Sequence, residues 1–202
     1  VPYIFTGINL FLNLPLTSSN LGNMQKELYQ TDEAPFANDA NYWYLTHTVS
    51  GLKYSPCVTT WLLAGNNVLG TGTSASASSG NQYGDYIQKI YSNLNPHTMV
   101  RFQINMWAID SWDVGTNDGM YFLFDGRLVD GWHLNLNDFP SNICGSGWNE
   151  LPNIIITGSV AHTASNLDFR MYAYFNEPSY FETFGIRDVT MMFADDAVQS
   201  ET

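Results

Sequence analysis

Five aspartates raise the first chemical question. Asp110, Asp113, Asp118 and Asp125 fall close together, and Asp188 lies near the C-terminal end. A calcium ion needs six to eight hard oxygens from carboxylates, amide carbonyls and backbone. A loop reading Asp110-Ser-Trp-Asp113, followed by Asn117-Asp118, has the right donors. Ca²⁺ is therefore the expected cofactor, with these five aspartates as its ligands. Their spacing is not that of an EF-hand. The competing role for Asp and Asn in such loops is to cap turns through their own side chains. Asp110, beside the apolar Ile109, is expected to be structurally held in either case.

Other residue types carry further possibilities. Trp112, Trp132 and Trp148 lie in polar stretches, where an indole can stack on a sugar ring; the alternative is burial in a core or an interface. His97 and His162 each precede a threonine at the start of a strand-like segment, with no second histidine close in sequence. They read as structural histidines. Asn176-Glu177-Pro178 copies a tripeptide found in some barrel glycosidases, and Glu182 could be offered as its second carboxylate. Those enzymes need a (β/α)₈ scaffold of roughly 250 residues, which this chain does not encode. No nucleophile elbow, phosphate loop or dinucleotide fingerprint occurs, so no catalytic residue is assigned and the protein is not expected to be an enzyme. Cys57 and Cys144 show no metal-ligand spacing and are either one disulfide or two buried thiols.

These groups have to be positioned by strands. Val58 to Leu63, Met99 to Ile109, Met120 to Phe124, Ile154 to Thr157, Leu167 to Phe175 and Val189 to Phe193 are rich in β-branched, aromatic and alternating apolar residues. Gly, Asn, Asp and Ser clusters separate them. Helix signals are confined to Leu21 to Tyr29, with a turn around Tyr83 to Tyr91. Residues 71 to 80 have the composition of a flexible loop. The expected fold is all-β, an antiparallel, jelly-roll-like sandwich with little helix. A weak internal echo places one His-Thr pair before each of the two longest strands. Near the N-terminus, Ile8, Leu10, Leu12, Leu14 and Leu16 alternate with more polar positions, which is the pattern of a strand with one buried face. The opening carries no basic leader and reads as a processed N-terminus. The expected division is an N-terminal arm (1–20), a sandwich (21–195) and a tail (196–202).

Composition excludes several partners. The net charge is −12, from 19 acids against 7 Lys+Arg. Nucleic acid, which needs a basic face, is therefore not expected. No apolar run is long enough for a membrane span. Hydrophobic residues make up 45% and charged residues 13% of the chain, against about 25% charged for an ordinary soluble domain. Such a surface suits extensive contacts.

Val58-Thr-Thr-Trp61, Val68-Leu-Gly70, Leu94-Asn-Pro-His97, Arg101-Phe-Gln103, Trp107-Ala-Ile-Asp-Ser-Trp-Asp113 and Phe124-Asp-Gly126 form one recognisable series. With the closing Phe184-Gly-Ile-Arg-Asp-Val189, it resembles a module of ciliate and other protist secreted and surface proteins. The resemblance spans about residues 55 to 195. This chain departs from it at Thr183-Phe184, where the module has Ser-Trp, and at Gly70-Thr-Gly72, where it has a double glycine. The resemblance implies an extracellular, secreted β-sandwich with no established catalytic residues.

Two functional readings follow. In the first, the protein is a structural subunit of an extracellular filament or coat. Ile8, Leu10, Leu12, Leu14 and Leu16 would complete a neighbouring subunit's sheet by strand addition, giving a homo-oligomer or homopolymer. In the second, it is a calcium-dependent, lectin-like module that binds glycans or an adhesive partner.

Overall fold

A computed structural model of the chain describes residues 24–49, 51–69, 85–110, 112, 119–132, 142–145, 147–175 and 182–195. The N-terminal aliphatic arm, the 71–80 loop, Asp113, Asp118, the Asn176-Glu177-Pro178 tripeptide and the tail lie outside these residues.

Eleven strands are present among the described residues: β1 (Met24–Glu27), β2 (Tyr44–Leu45), β3 (Tyr54–Cys57), β4 (Thr60–Ala64), β5 (Asp85–Tyr91), β6 (Met99–Asp110), β7 (Gly119–Phe124), β8 (Arg127–Trp132), β9 (Leu151–Ala161), β10 (Leu167–Tyr174) and β11 (Glu182–Ala194). They build two antiparallel sheets. One runs β3-β4-β11-β6-β9, with β1 pairing the second half of β11; the other runs β2-β5-β10-β7-β8. The expected antiparallel β-sandwich is the fold. The interior follows from alternation, because successive side chains of a strand point to opposite faces. Val100, Phe102, Ile104, Met106 and Ala108 of β6 enter the core from one sheet. Phe169, Met171 and Ala173 of β10 join Met120, Phe122 and Phe124 of β7 from the other.

Two local expectations are corrected. Residues 24–27, read as helix, form strand β1, because pairing with Val189–Met192 of β11 satisfies their backbone groups along a sheet edge. Residues 85–91, read as a turn, form strand β5, which lies between β2 and β10. Among the described residues the helix is instead α1 (Glu33–Asn41). Pro35 sits in its first turn, where a missing N–H costs nothing, and Phe36 and Ala40 bury one face four residues apart. The apolar run from Val58 is not one strand either: Val58-Thr59 is the two-residue turn between β3 and β4.

Cys57 and Cys144 form a disulfide with a Cα–Cα distance of 5.1 Å. It ties the β3 end to the 142–150 segment across 87 positions. That segment covers a second, smaller apolar cluster on the outer face of the larger sheet, made of Cys57, Leu62, Trp107 and Ile109.

The two histidines meet at one end of the sandwich. His97 Nδ1 donates to the Asn95 carbonyl (2.7 Å), His97 Nε2 faces His162 Nδ1 (2.6 Å), and His162 Nε2 lies 3.0 Å from Asp125 Oδ2. The rings are stacked, and Phe193 packs edge-on to His97. These residues join the entry of β6, the exit of β9 and the β7–β8 turn.

Close packing across the sheet also depends on Gly158. A Cβ built there would lie 2.5 Å from Cζ of Phe102. Gly158→Ala is therefore expected to destabilise the fold by about 1–3 kcal/mol through overpacking. Urea unfolding checks this, and an unchanged midpoint would show that the ring moves aside freely.

Candidate functional site

The outer face of the larger sheet departs from regular strand geometry in two places, on either side of β6. In β11 the inward residues are Phe184 and Ile186, then Val189, Met191 and Phe193, so the parity changes between 186 and 189. The pairing shows why. Arg187 opposes Asn105 and Thr190 opposes Gln103, so three steps on β11 match two on β6. In β9, Ile154 opposes Met106 and Leu151 opposes Ala108, again three steps against two. Each strand holds one extra residue, a β-bulge, opposite neighbouring parts of β6, 103–105 for β11 and 106–108 for β9.

The bulges re-aim their side chains. Neighbouring residues of a regular strand point to opposite faces. Yet Arg187 Nε lies 3.0 Å from Asp188 Oδ2 and Nη2 lies 3.3 Å from Oδ1, a two-pronged pair on one face. Asp188 achieves this with φ +48°, and Asn153 in the other bulge has φ +58°. Asn105 stands between them on β6. Its Nδ2 donates to Asn153 Oδ1 (3.1 Å) and to Asp188 Oδ2 (3.4 Å), so one amide holds both bulges.

A cavity of about 390 Å³ opens here. Trp107, Asn153, Arg187 and Asp188 line it from the three strands, and Pro152 belongs to the β9 bulge. The remaining wall is the β3–β4 turn with Cys57 and, across the disulfide, Ile143. Val58 in that turn has φ +56°. A β-branched residue in the left-handed region is a genuine outlier, since hairpin turns place Gly, Asn or Asp there. Trp107 is buried, and its indole N–H has no hydrogen-bond partner among the described residues.

Two buried carboxylates hold the 142–150 segment beside the cavity. Trp148 N–H donates to Asp110 Oδ1 (3.3 Å). Gly145, at φ +132°, lies so close that a Cβ would come within 2.6 Å of both Asp110 oxygens. Glu150 Oε2 accepts from the Ile143 N–H, which fixes the residue that walls the cavity. Burial raises the Glu150 carboxyl above its usual value; the backbone bonds from Ile143 and Cys144 oppose this, and the Asp110 charge adds to it.

Of the five aspartates, the three among the described residues, Asp110, Asp125 and Asp188, are not brought together. Asp110 ends β6, whereas Asp125 lies in the β7–β8 turn beside the histidines at the opposite end. A twelve-residue strand separates these ends by roughly 35 Å. The oxygens of Asp125 are taken by His162 and by the Asp168 N–H, and those of Asp188 by Arg187 and Asn105. Among the described residues no group of three His, Cys, Asp or Glu side chains is arranged to hold a metal. Glu182 is fully buried at the start of β11. The three tryptophans separate as well. Trp112 is buried, donates its Nε1–H to the Thr183 carbonyl and packs edge-on to Phe175, so it is core rather than a sugar-facing ring. Trp148 is 58% exposed. Trp132 contributes backbone pairing to Met120. The sequence reading named Asp188 but missed Asn105, Trp107, Asn153 and Arg187. The one available signal was the parity change within the β11 sequence.

No family model matches the chain, and no curated protein matches it. Among solved structures, it is similar to the C-terminal CBM6 of LamC, a marine laminarinase from Zobellia galactanivorans. That match has 11% identity and a TM-score of 0.42, over 84% of this chain and 99% of the other. It is also similar to a family 35 carbohydrate binding module from Clostridium thermocellum, at 12% identity and a TM-score of 0.40, over 77% of this chain and 94% of the other.

The raised Glu150 carboxyl has a consequence with a definite sign. The folded state binds this proton more tightly than the unfolded chain, so Glu150 favours folding as pH falls through its raised value and opposes it above. Glu150→Gln keeps an acceptor for the Ile143 N–H without the charge. It is expected to melt at or above the wild-type temperature at pH 7, with the difference shrinking as pH is lowered toward 4. Paired melting curves across that range measure it; a variant that melts lower at pH 7 contradicts the assignment.

Proposed function

We propose that the protein is a non-enzymatic carbohydrate-binding module and that the cavity lined by Trp107, Asn153, Arg187 and Asp188 receives the sugar. The observation that carries this reading is the convergence of three strained residues on one cavity: Val58, Asn153 and Asp188 all line it, and all are non-glycine residues at positive φ. Such conformations cost on the order of 1–3 kcal/mol each and gather where a fold has to present groups to a ligand. The cavity falls in the size range of small-molecule sites, which combine apolar walls with a few fixed polar groups. Here an indole, a proline and a disulfide face an amide, a guanidinium and a carboxylate. A sugar offers the same mixture, with apolar C–H faces and a polar rim. Asp188 is the one carboxylate among the described residues lining the cavity. Glycoside cleavage ordinarily uses two carboxylates across the bond, so this arrangement supports binding rather than hydrolysis. The disulfide suits an oxidising compartment, and secretion is part of the proposal.

Glycan-array screening of the whole chain, followed by calorimetry with the best ligand, tests this. Trp107→Ala and Asn153→Ala are each expected to weaken binding by roughly tenfold or more, about 1.4 kcal/mol, in protein that still melts cooperatively. Unchanged affinity in both variants would place the ligand elsewhere, and an array without hits would remove the carbohydrate reading.

A further inference from the structure

Resting on the carbohydrate reading, we infer that the cavity selects an uncharged sugar and binds it without a metal ion. The first observation is that the cavity is electrically balanced. Arg187 is its cation and Asp188 its anion, and the two are forked together on one face. Both are largely enclosed, with side-chain exposures of 13% and 27%. Asp188 takes the Nε–Nη2 edge of the guanidinium, so a ligand carboxylate or sulfate either displaces Asp188 or binds the remaining edge beside the Asp188 charge, and both are disfavoured. A ligand ammonium faces the same choice, between displacing Arg187 and sitting beside its charge. Separating a partly buried pair is costly even when a new partner arrives. A hydroxyl needs no displacement, because it can accept from the guanidinium edge and donate to a remaining lone pair of the carboxylate. Asn153 adds to this. Its Oδ1 accepts from Asn105, which leaves the Nδ2 group of this exposed residue to donate. The wall therefore offers donors and acceptors side by side, matching neighbouring hydroxyls.

The second observation is long-range. The chain carries a net charge of −12, which repels acidic polysaccharides before contact. The third concerns the cation. Asp188 Oδ2 accepts from Arg187 and Asn105, and Oδ1 accepts from Arg187. A calcium ion would need several oxygen ligands free of such bonds, so binding here does not require it.

Titration of the full chain with glucose, galactose, mannose and their short oligomers, with glucuronate and galacturonate, and with glucosamine tests the inference, each in calcium and in EDTA. Neutral sugars are expected to bind equally in both media, and the uronates and the amino sugar roughly tenfold more weakly. Asp188→Asn frees the Arg187 fork, so it is expected to raise uronate affinity relative to neutral sugar. A wild-type preference for uronate or glucosamine, or binding abolished by EDTA, overturns this inference and leaves the carbohydrate reading standing. Wild-type selectivity unchanged in Asp188→Asn overturns the charge-pair explanation. Absence of binding by every sugar in this panel and on the glycan array overturns both.

Discussion

A strand shows one face to the core and one to solvent, and an extra residue exchanges them. That constraint organises this molecule. β11 must bury Phe184 and Ile186 in its first half and Val189, Met191 and Phe193 in its second, against the same facing sheet. Only an inserted residue reconciles the two sets, and the residue left over is driven to the outer face. β9 meets the same requirement around Asn153. The core therefore dictates the site. Burial of five large side chains of β11, each favourable by about 1.5–3 kcal/mol, outweighs the strain at Asp188. The strained residue is then presented beside Arg187 at no further expense to the interior.

Asn105 makes the two bulges one unit. Its amide is short and planar, sits on the strand between them and donates to both. A longer or charged side chain at that point would meet either Asn153 or Asp188 badly, since one partner is neutral and the other anionic. The covalent side of the cavity is built by a different device. The disulfide fixes where the 142–150 segment begins to cover the sheet, and Glu150 and Asp110 take its backbone N–H groups. Buried carboxylates are tolerated here because backbone donors replace lost water, as the competing influences on Glu150 show. Bonds from these buried side chains to backbone N–H groups hold the wall in place.

How much of this could be read from residues alone depended on whether a property is local. Long alternations such as Val100 to Met106 report their own geometry, so β6 and β10 emerged with nearly correct ends. Residues 24–27 did not, because their state depends on an edge of β11 that lies more than 160 positions away. The aspartates illustrate the same limit. Sequence proximity grouped Asp110 with Asp125, although β7 and a change of sheet carry them to opposite ends. The histidines, 65 positions apart, are in direct contact. Trp112 looked exposed because its neighbours are polar, yet the Thr183 carbonyl gives its N–H a buried partner. Charge and spacing describe what residues can do; topology decides which of them do it together.

The two ends of β6 then divide the work. At its start, His97 and His162 are bonded to each other, to the Asn95 carbonyl and to Asp125, and clamp the sheets together. Toward its other end, the strand bears Asn105 and Trp107, where groups are kept strained and incompletely bonded. A fold that satisfies nearly all of its polar groups can tolerate a few unsatisfied ones, provided the surrounding lattice holds them in place. The fully bonded clamp and the pretensioned cavity are thus complementary: the first keeps the two sheets in register, and that fixed register keeps both bulges opposite neighbouring parts of β6.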